Sequence, residues 1–162
     1  LVFMPYILEA AGCRASQIGT VTGTRALMEI VPMFLGAKLC KRVPTKYIML
    51  LPGVLFGVEH LCYSIASGLP GMLCIMVLSG LAGGFFYSLG PSYIFEIVPA
   101  EVVNTAQTLN AMDLTLVSII GSAVGGVVIE HWGVHAMTTC CGFLILALTV
   151  LFAVSLRWEN KK

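Results

Sequence analysis

Apolar positions along this chain gather into long runs, separated at intervals by short polar or Pro/Gly-bearing segments. The first complete run extends from about Gln17 to Ala37, entered through Gly12 and a capping residue type at Ser16. Further runs cover Tyr47 to Ser67, Leu69 to Phe95, Val103 to Ile129 and Val134 to Leu156. Turn chemistry divides them: Val43-Pro44-Thr45, Ser67-Gly68-Leu69-Pro70-Gly71, Val98-Pro99-Ala100 and His131-Trp132-Gly133. Each run suits a helix crossing a ~30 Å hydrocarbon core, which takes about 20 residues. The opening stretch LVFMPYILEA is too short to cross and reads as the end of a helix begun upstream, with residues 1–12 as that end and 13–162 as the bundle proper. The expected fold is all-α, a polytopic transmembrane helix bundle with five complete spans.

Composition strengthens this reading. Hydrophobic residues make up 58% of the 162 and charged residues only 10%, far from the balance of a soluble domain. The net charge of +1 supplies no basic field, so nucleic acid is not an expected partner; the lipid bilayer is. Four basic residues (Lys38, Lys41, Arg42, Lys46) follow the first span and three (Arg157, Lys161, Lys162) form the tail, seven of the nine in the chain. Five alternating spans put both places on one side, which the positive-inside rule makes cytoplasmic. An integral protein of the plasma (inner) membrane is expected, its C-terminus in the cytoplasm.

Small residues recur at helix-packing spacing in Gly53-x-x-x-Gly57, Gly80-x-x-x-Gly84 and Gly121-x-x-x-Gly125, where they allow backbones to approach closely. Pro32 and Gly90-Pro91 interrupt spans. The six cysteines form no C-x-x-C, and most fall in apolar runs where cysteine acts as a small hydrophobe, so neither metal nor other cofactor is expected. No G-x-S-x-G, H-E-x-x-H or phosphate-binding loop is present, and the chain is not read as an enzyme.

Five ionisable residues stand inside the predicted spans: Arg25, Glu29, Glu59, His60 and Asp113. Four formal charges facing lipid would cost on the order of ten kcal/mol, so they are expected to face one another or water. Arg25 and Glu29 are spaced i, i+4 and share a helix face. Glu29, Glu59 and Asp113 come from three different spans at broadly similar depth. Buried ion pairs that merely fix helix register explain one such pair. Five residues on three spans favour a hydrated pathway, and channel, pump and transporter all fit it at this level.

Three stretches resemble the C-terminal half of a major facilitator superfamily permease. GAKLCKRVPTKYIML resembles the basic loop between helices 8 and 9 of that twelve-helix fold; SYIFEIVPAEVVNTAQTLNAM resembles its helix 10 to 11 junction in the branch of lactose, phenylpropionate and nucleoside permeases; GSAVGGVVIEHWGVHA resembles the end of helix 11 and the turn into helix 12. The resemblance implies that the five spans are helices 8–12, that residues 1–12 end helix 7, and that an N-terminal six-helix half precedes them. It implies alternating access and secondary active transport of a small polar or anionic solute (sugar, nucleoside or aromatic acid), with proton symport. Glu29 matches the acidic residue of helix 8 in the phenylpropionate-like branch. The positions of the helix 10 proton relay of lactose permease fall near Ser79 and Ala82, which cannot titrate, and Glu59 stands where its helix 9 arginine does. On this reading Arg25 holds an anionic or hydroxyl-rich part of the solute. Glu29, Glu59, Asp113 or His60 carries the proton, and Tyr87 with Phe85-Phe86 packs a ring. An uncoupled facilitator, and a noncatalytic membrane subunit or inactive fragment, are the alternatives.

Overall fold

A computed structural model describes residues 2–159. Every regular element among the described residues is helical. They are α1 (Met4–Ala10), α2 (Ile18–Leu39), α3 (Thr45–Ile48), α4 (Leu50–Tyr63), α5 (Gly68–Ile97) and α6 (Val103–Glu159), with single 3-10 turns before α2 and α6.

Boundaries follow local chemistry. Gly12 and Gly68 take φ of 75° and 65°, left-handed backbone that glycine adopts without a Cβ clash, and they turn the chain before α2 and into α5. The predicted span Tyr47 to Ser67 is shorter and interrupted, as α3 and α4 with Met49 between them. Pro52 explains the break, because it has no N–H to offer the Ile48 carbonyl four residues earlier. Pro32 and Pro91, by contrast, lie within α2 and α5, which continue through them.

The fourth and fifth predicted spans are two helices that abut within α6 at a kink, where Gly133 is non-helical (φ 80°, ψ 171°). The predicted His131-Trp132-Gly133 turn is therefore a single-residue joint between a first arm, 103–132, and a second arm, 134–159. Two stretches among the described residues are long and apolar enough to cross a membrane, Gly68–Ile97 and Ala100–Trp158. The five predicted crossings are thus not all separate long apolar helices. α2 has the length but carries Arg25, Glu29 and a Thr/Gly-rich first half, and α4 has only 14 residues.

The helices pack in a row: α2 on α5, α5 on α4, and α4 on the second arm of α6. A Cβ built on Gly80 would lie 2.7 Å from the Arg25 carbonyl oxygen, and one on Gly84 would collide with the Glu29 carbonyl and Pro32. Residue numbers rise together along this contact, so α2 and α5 run parallel. On the other side Gly57 meets Leu146, Gly53 meets Thr149 and Gly142 meets Leu61, an antiparallel contact between α4 and the second arm. Two of the three predicted glycine pairs thus pack helices; of the third, Gly125 meets the Phe3 ring while Gly121 meets nothing. The main core joins α1 (Met4, Ile7, Leu8) to Val21, Tyr63, Met72 and Met76.

Candidate functional site

The first half of α2 is rich in hydroxyls that satisfy themselves along the helix. Thr22 and Thr24 donate to the carbonyls of Ile18 (2.8 Å) and Thr20 (2.9 Å), a pattern that tolerates apolar surroundings. Next in sequence, Arg25 Nε donates to Glu29 Oε1 at 2.9 Å, with side chains 14% and 23% exposed. The i, i+4 spacing produces the expected pair, and α5 shelters it: a Cβ on Gly83 would lie 2.8 Å from that same Glu29 oxygen.

The second polar group lies on α4. Glu59 is 4% exposed, and Tyr63, one turn further, donates its hydroxyl to Glu59 Oε1 at 2.8 Å. The other carboxylate oxygen, Oε2, is buried and has no hydrogen-bond partner among the described residues; nor has the hydroxyl of Ser79 on α5, which is 1% exposed. Arg25 lies within electrostatic reach of the Tyr63 phenol, and the Ser79 hydroxyl lies beside it. A native interior rarely leaves a polar oxygen dry, because such a group forfeits its hydration without return.

Arg25, Glu59 and Tyr63 border a cavity of about 580 Å³ between α1, α2, α4 and both arms of α6. Arg25, Glu59, His60 and Tyr63 supply polar wall; Phe56, Val124, Met137 and Leu144 supply apolar wall. The Nδ1 of His60 sits 2.8 Å from the Phe56 carbonyl, and its ring meets Tyr63 edge-on at 5.9 Å.

Of the five predicted site residues, Arg25, Glu59 and His60 meet at the cavity and Glu29 reaches it through Arg25. Asp113 does not join them: it lies exposed on the first arm of α6, outside the cavity lining. The rings proposed for solute packing also separate. Tyr87 is 52% exposed and Phe85 belongs to a second core with Ile48 and Leu89, while Phe86 lies edge-on to Phe56 of the cavity wall. Tyr63 and Ser79 are the additions. Tyr63 was legible, since it follows Glu59 at the same i, i+4 interval that paired Arg25 with Glu29. Ser79 was singled out only by the resemblance, as a non-titrating residue near a relay position, and the packing of α5 brings it near Tyr63.

Comparison with known proteins bears on what such a site serves. An uncharacterised MFS-type transporter of Methanocaldococcus jannaschii is 25% identical over 92% of this chain and 39% of its own length. Sugar efflux transporter C of Escherichia coli is 24% identical over 95% of the chain and 39% of its own length. A putative multidrug resistance protein, MdtD, of Klebsiella pneumoniae is 29% identical over 60% of the chain and 21% of its own length. The chain thus spans about two-fifths of the length of the first two. No solved structure matches. The model of the Major Facilitator Superfamily matches residues 1–162, and with it the all-helical bundle, its apolar surface and its buried charges agree: the chain belongs to the Major Facilitator Superfamily, integral membrane proteins that transport small solutes and are not enzymes.

Proposed function

We propose that this chain is the C-terminal half-bundle of a proton-coupled transporter, working by alternating access with an N-terminal six-helix half. One observation carries the reading: Glu59, a buried carboxylate with an unpartnered oxygen, borders a cavity beside the Arg25–Glu29 pair. Intramembrane carboxylates are expensive, and a proton or a solute is what such a group accommodates. Glu59 is the proton-carrying group on this reading; Glu29 is committed to Arg25.

Five crossings remain the arrangement that fits the chain: α2, α3 with α4, α5, and the two arms of α6. At 1.5 Å per residue α6 is about 85 Å long, room for two passages of a ~30 Å core with Gly133 at the bend. The parallel α2–α5 contact and the antiparallel contact of α4 with the second arm suit that alternation. The basic residues after α2 then lie in the cytoplasm with the C-terminus; of the tail, Lys161 and Lys162 lie outside the described residues.

Symport is the mode that the likeness to lactose permease favours. Proton exchange driving export is the second reading, supported by the names of two relatives, a sugar efflux transporter and a putative multidrug resistance protein. The full-length protein in liposomes with a trapped pH dye decides. Adding the transported solute, sought among sugars, nucleosides and aromatic acids, should move protons in the unmutated protein and not in Glu59→Gln. Proton and solute moving together identify symport; opposed movement identifies exchange. Solute movement that ignores the pH gradient overturns coupling and leaves the facilitator.

A further inference from the structure

We infer that a recess at the end of α2 seats the headgroup of an anionic phospholipid, with Lys38, Lys41 and Arg42 around its phosphate and its acyl chain along α2. The inference goes beyond transport and rests on one part of the proposed reading, α2 as a membrane crossing.

The recess has a volume of about 350 Å³ and is lined by Leu35, Lys38, Leu39, Lys41 and Arg42. That lies at the lower end of the roughly 300–1,000 Å³ of small-molecule sites. Backbone closure after α2 makes it. The N–H of Lys41 donates to the Lys38 carbonyl at 3.3 Å, and those of Arg42 and Val43 donate to the Leu39 carbonyl at 2.9 and 3.0 Å. The chain hooks back, so three cations from one turn line a single concavity. Helix C-terminal carbonyls repel an anion, but those of Gly36, Lys38 and Leu39 are engaged by the N–H groups that follow.

No acid balances these three charges. Among the described residues none of the three side chains forms an ion pair or a hydrogen bond. Glu96, which α5 brings to the start of α3, accepts from the Thr45 hydroxyl instead. Lys46, the fourth cation of this loop, stands over the Tyr47 ring at 5.6 Å and does not line the recess. Three unbalanced cations at one concavity repel one another. A phosphate relieves that repulsion and takes charge-assisted hydrogen bonds from all three.

The surface of α2 selects a lipid over a soluble phosphate. Leu27, Val31 and Phe34 precede Lys38 at intervals of four, three and four, so these residues share one helix face. α5 packs on the other side, where Met28, Pro32 and Gly36 meet Gly80, Gly84 and Ser88. Leu27, Val31 and Phe34 are left exposed, an apolar track that ends at the cations. An acyl chain matches the track and a phosphate matches its end. Each basic residue beside a membrane helix favours anionic lipid by about 5-fold.

Two phospholipids with the same fluorescent tail, one with a phosphatidylglycerol and one with a phosphatidylcholine headgroup, test the inference. Binding to the full-length protein in neutral detergent is read by anisotropy. The phosphatidylglycerol should bind at least about 10-fold more tightly, given the contribution of each basic residue. Replacing Lys38, Lys41 and Arg42 together by Gln should reduce that preference to less than about 3-fold. Exchanging them for the other basic type (Lys38→Arg, Lys41→Arg, Arg42→Lys) should keep it, as should Arg157→Gln at the far end of the chain. Each single Gln substitution should weaken the phosphatidylglycerol about 3- to 5-fold, so the test survives a triple variant that does not fold. Equal binding of the two lipids overturns the assignment, and so does the result if a helix of the other half covers this face and no lipid binds. A preference that survives the Gln substitutions places the lipid elsewhere and also overturns it. Displacement of the lipid by an equal concentration of inorganic phosphate would make this a site for a soluble anion. Binding is read without transport, so its failure leaves proton coupling standing, and loss of coupling in the liposome experiment leaves this site standing.

Discussion

Two long apolar stretches of this protein meet opposite fates. The most hydrophobic part of α5 has a mean hydropathy of 1.9 and is half buried inside the bundle; that of α6 reaches 2.4 and is only 11% buried. Greater hydrophobicity brings less burial here, because lipid is as apolar as leucine and hydrophobicity alone does not associate helices within it. That stretch of α6 falls in the second arm, which Gly142 seats against α4; the first arm is more exposed still, and there small residues lack a partner. Gly80, Gly83 and Gly84 admit the α2 backbone and the Arg25–Glu29 pair, whereas Gly121 and Gly126 on the first arm of α6 meet nothing within 4 Å. That arm presents Leu109, Leu116 and Ile120, each more than half exposed. On the proposed function, this surface faces lipid and the other half of the transporter.

The contrast can be broken where it is strongest. Arg25→Leu strands Glu29 against α5 and should cost about 3–5 kcal/mol of stability, read as the shift of a denaturant titration in detergent. Arg25→Leu combined with Glu29→Leu should recover most of that loss; no recovery would mean the pair does more than neutralise itself. Gly84→Ala puts a Cβ into the Glu29 carbonyl and Pro32, and about 1–3 kcal/mol should follow in the same titration. Gly133→Ala forces a side chain onto φ 80° and should cost about 1–2 kcal/mol, with a lower melting temperature as the measurement. Gly121→Ala, facing open space in a helix, should change stability by no more than about 0.5 kcal/mol. If Gly121→Ala matched Gly84→Ala, the distinction between the packed and the exposed arm would be wrong.

The helical class and the positions of the runs were legible because apolar segments separated by Pro and Gly leave a chain few options in a membrane. What escaped was how a helix ends. Pro52 stood in plain view inside a predicted span, yet whether its missing donor would break the helix depended on neighbours: the chain breaks near Pro52 and continues through Pro32 and Pro91. The His131-Trp132-Gly133 turn, by contrast, was legible, and Gly133 makes the change of direction. In the candidate site, i, i+4 spacing made Arg25–Glu29 visible and would have made Glu59–Tyr63 visible too. Asp113 was grouped with them by depth. Depth along a helix says nothing about which way a residue faces, and Asp113 faces outward from this bundle.

Gly133 gives α6 the mechanics of a lever. The arm before it, residues 103–132, is about 45 Å long at 1.5 Å per residue and is exposed along most of its length. The second arm is anchored along α4. A torsional change of about 10° at this one joint carries the far end of the first arm through about 8 Å, given that length. The helix hydrogen bonds within each arm need not stretch for this to happen. A displacement of that size is a large fraction of a helix diameter of about 10 Å, obtained from two dihedral angles of a single residue.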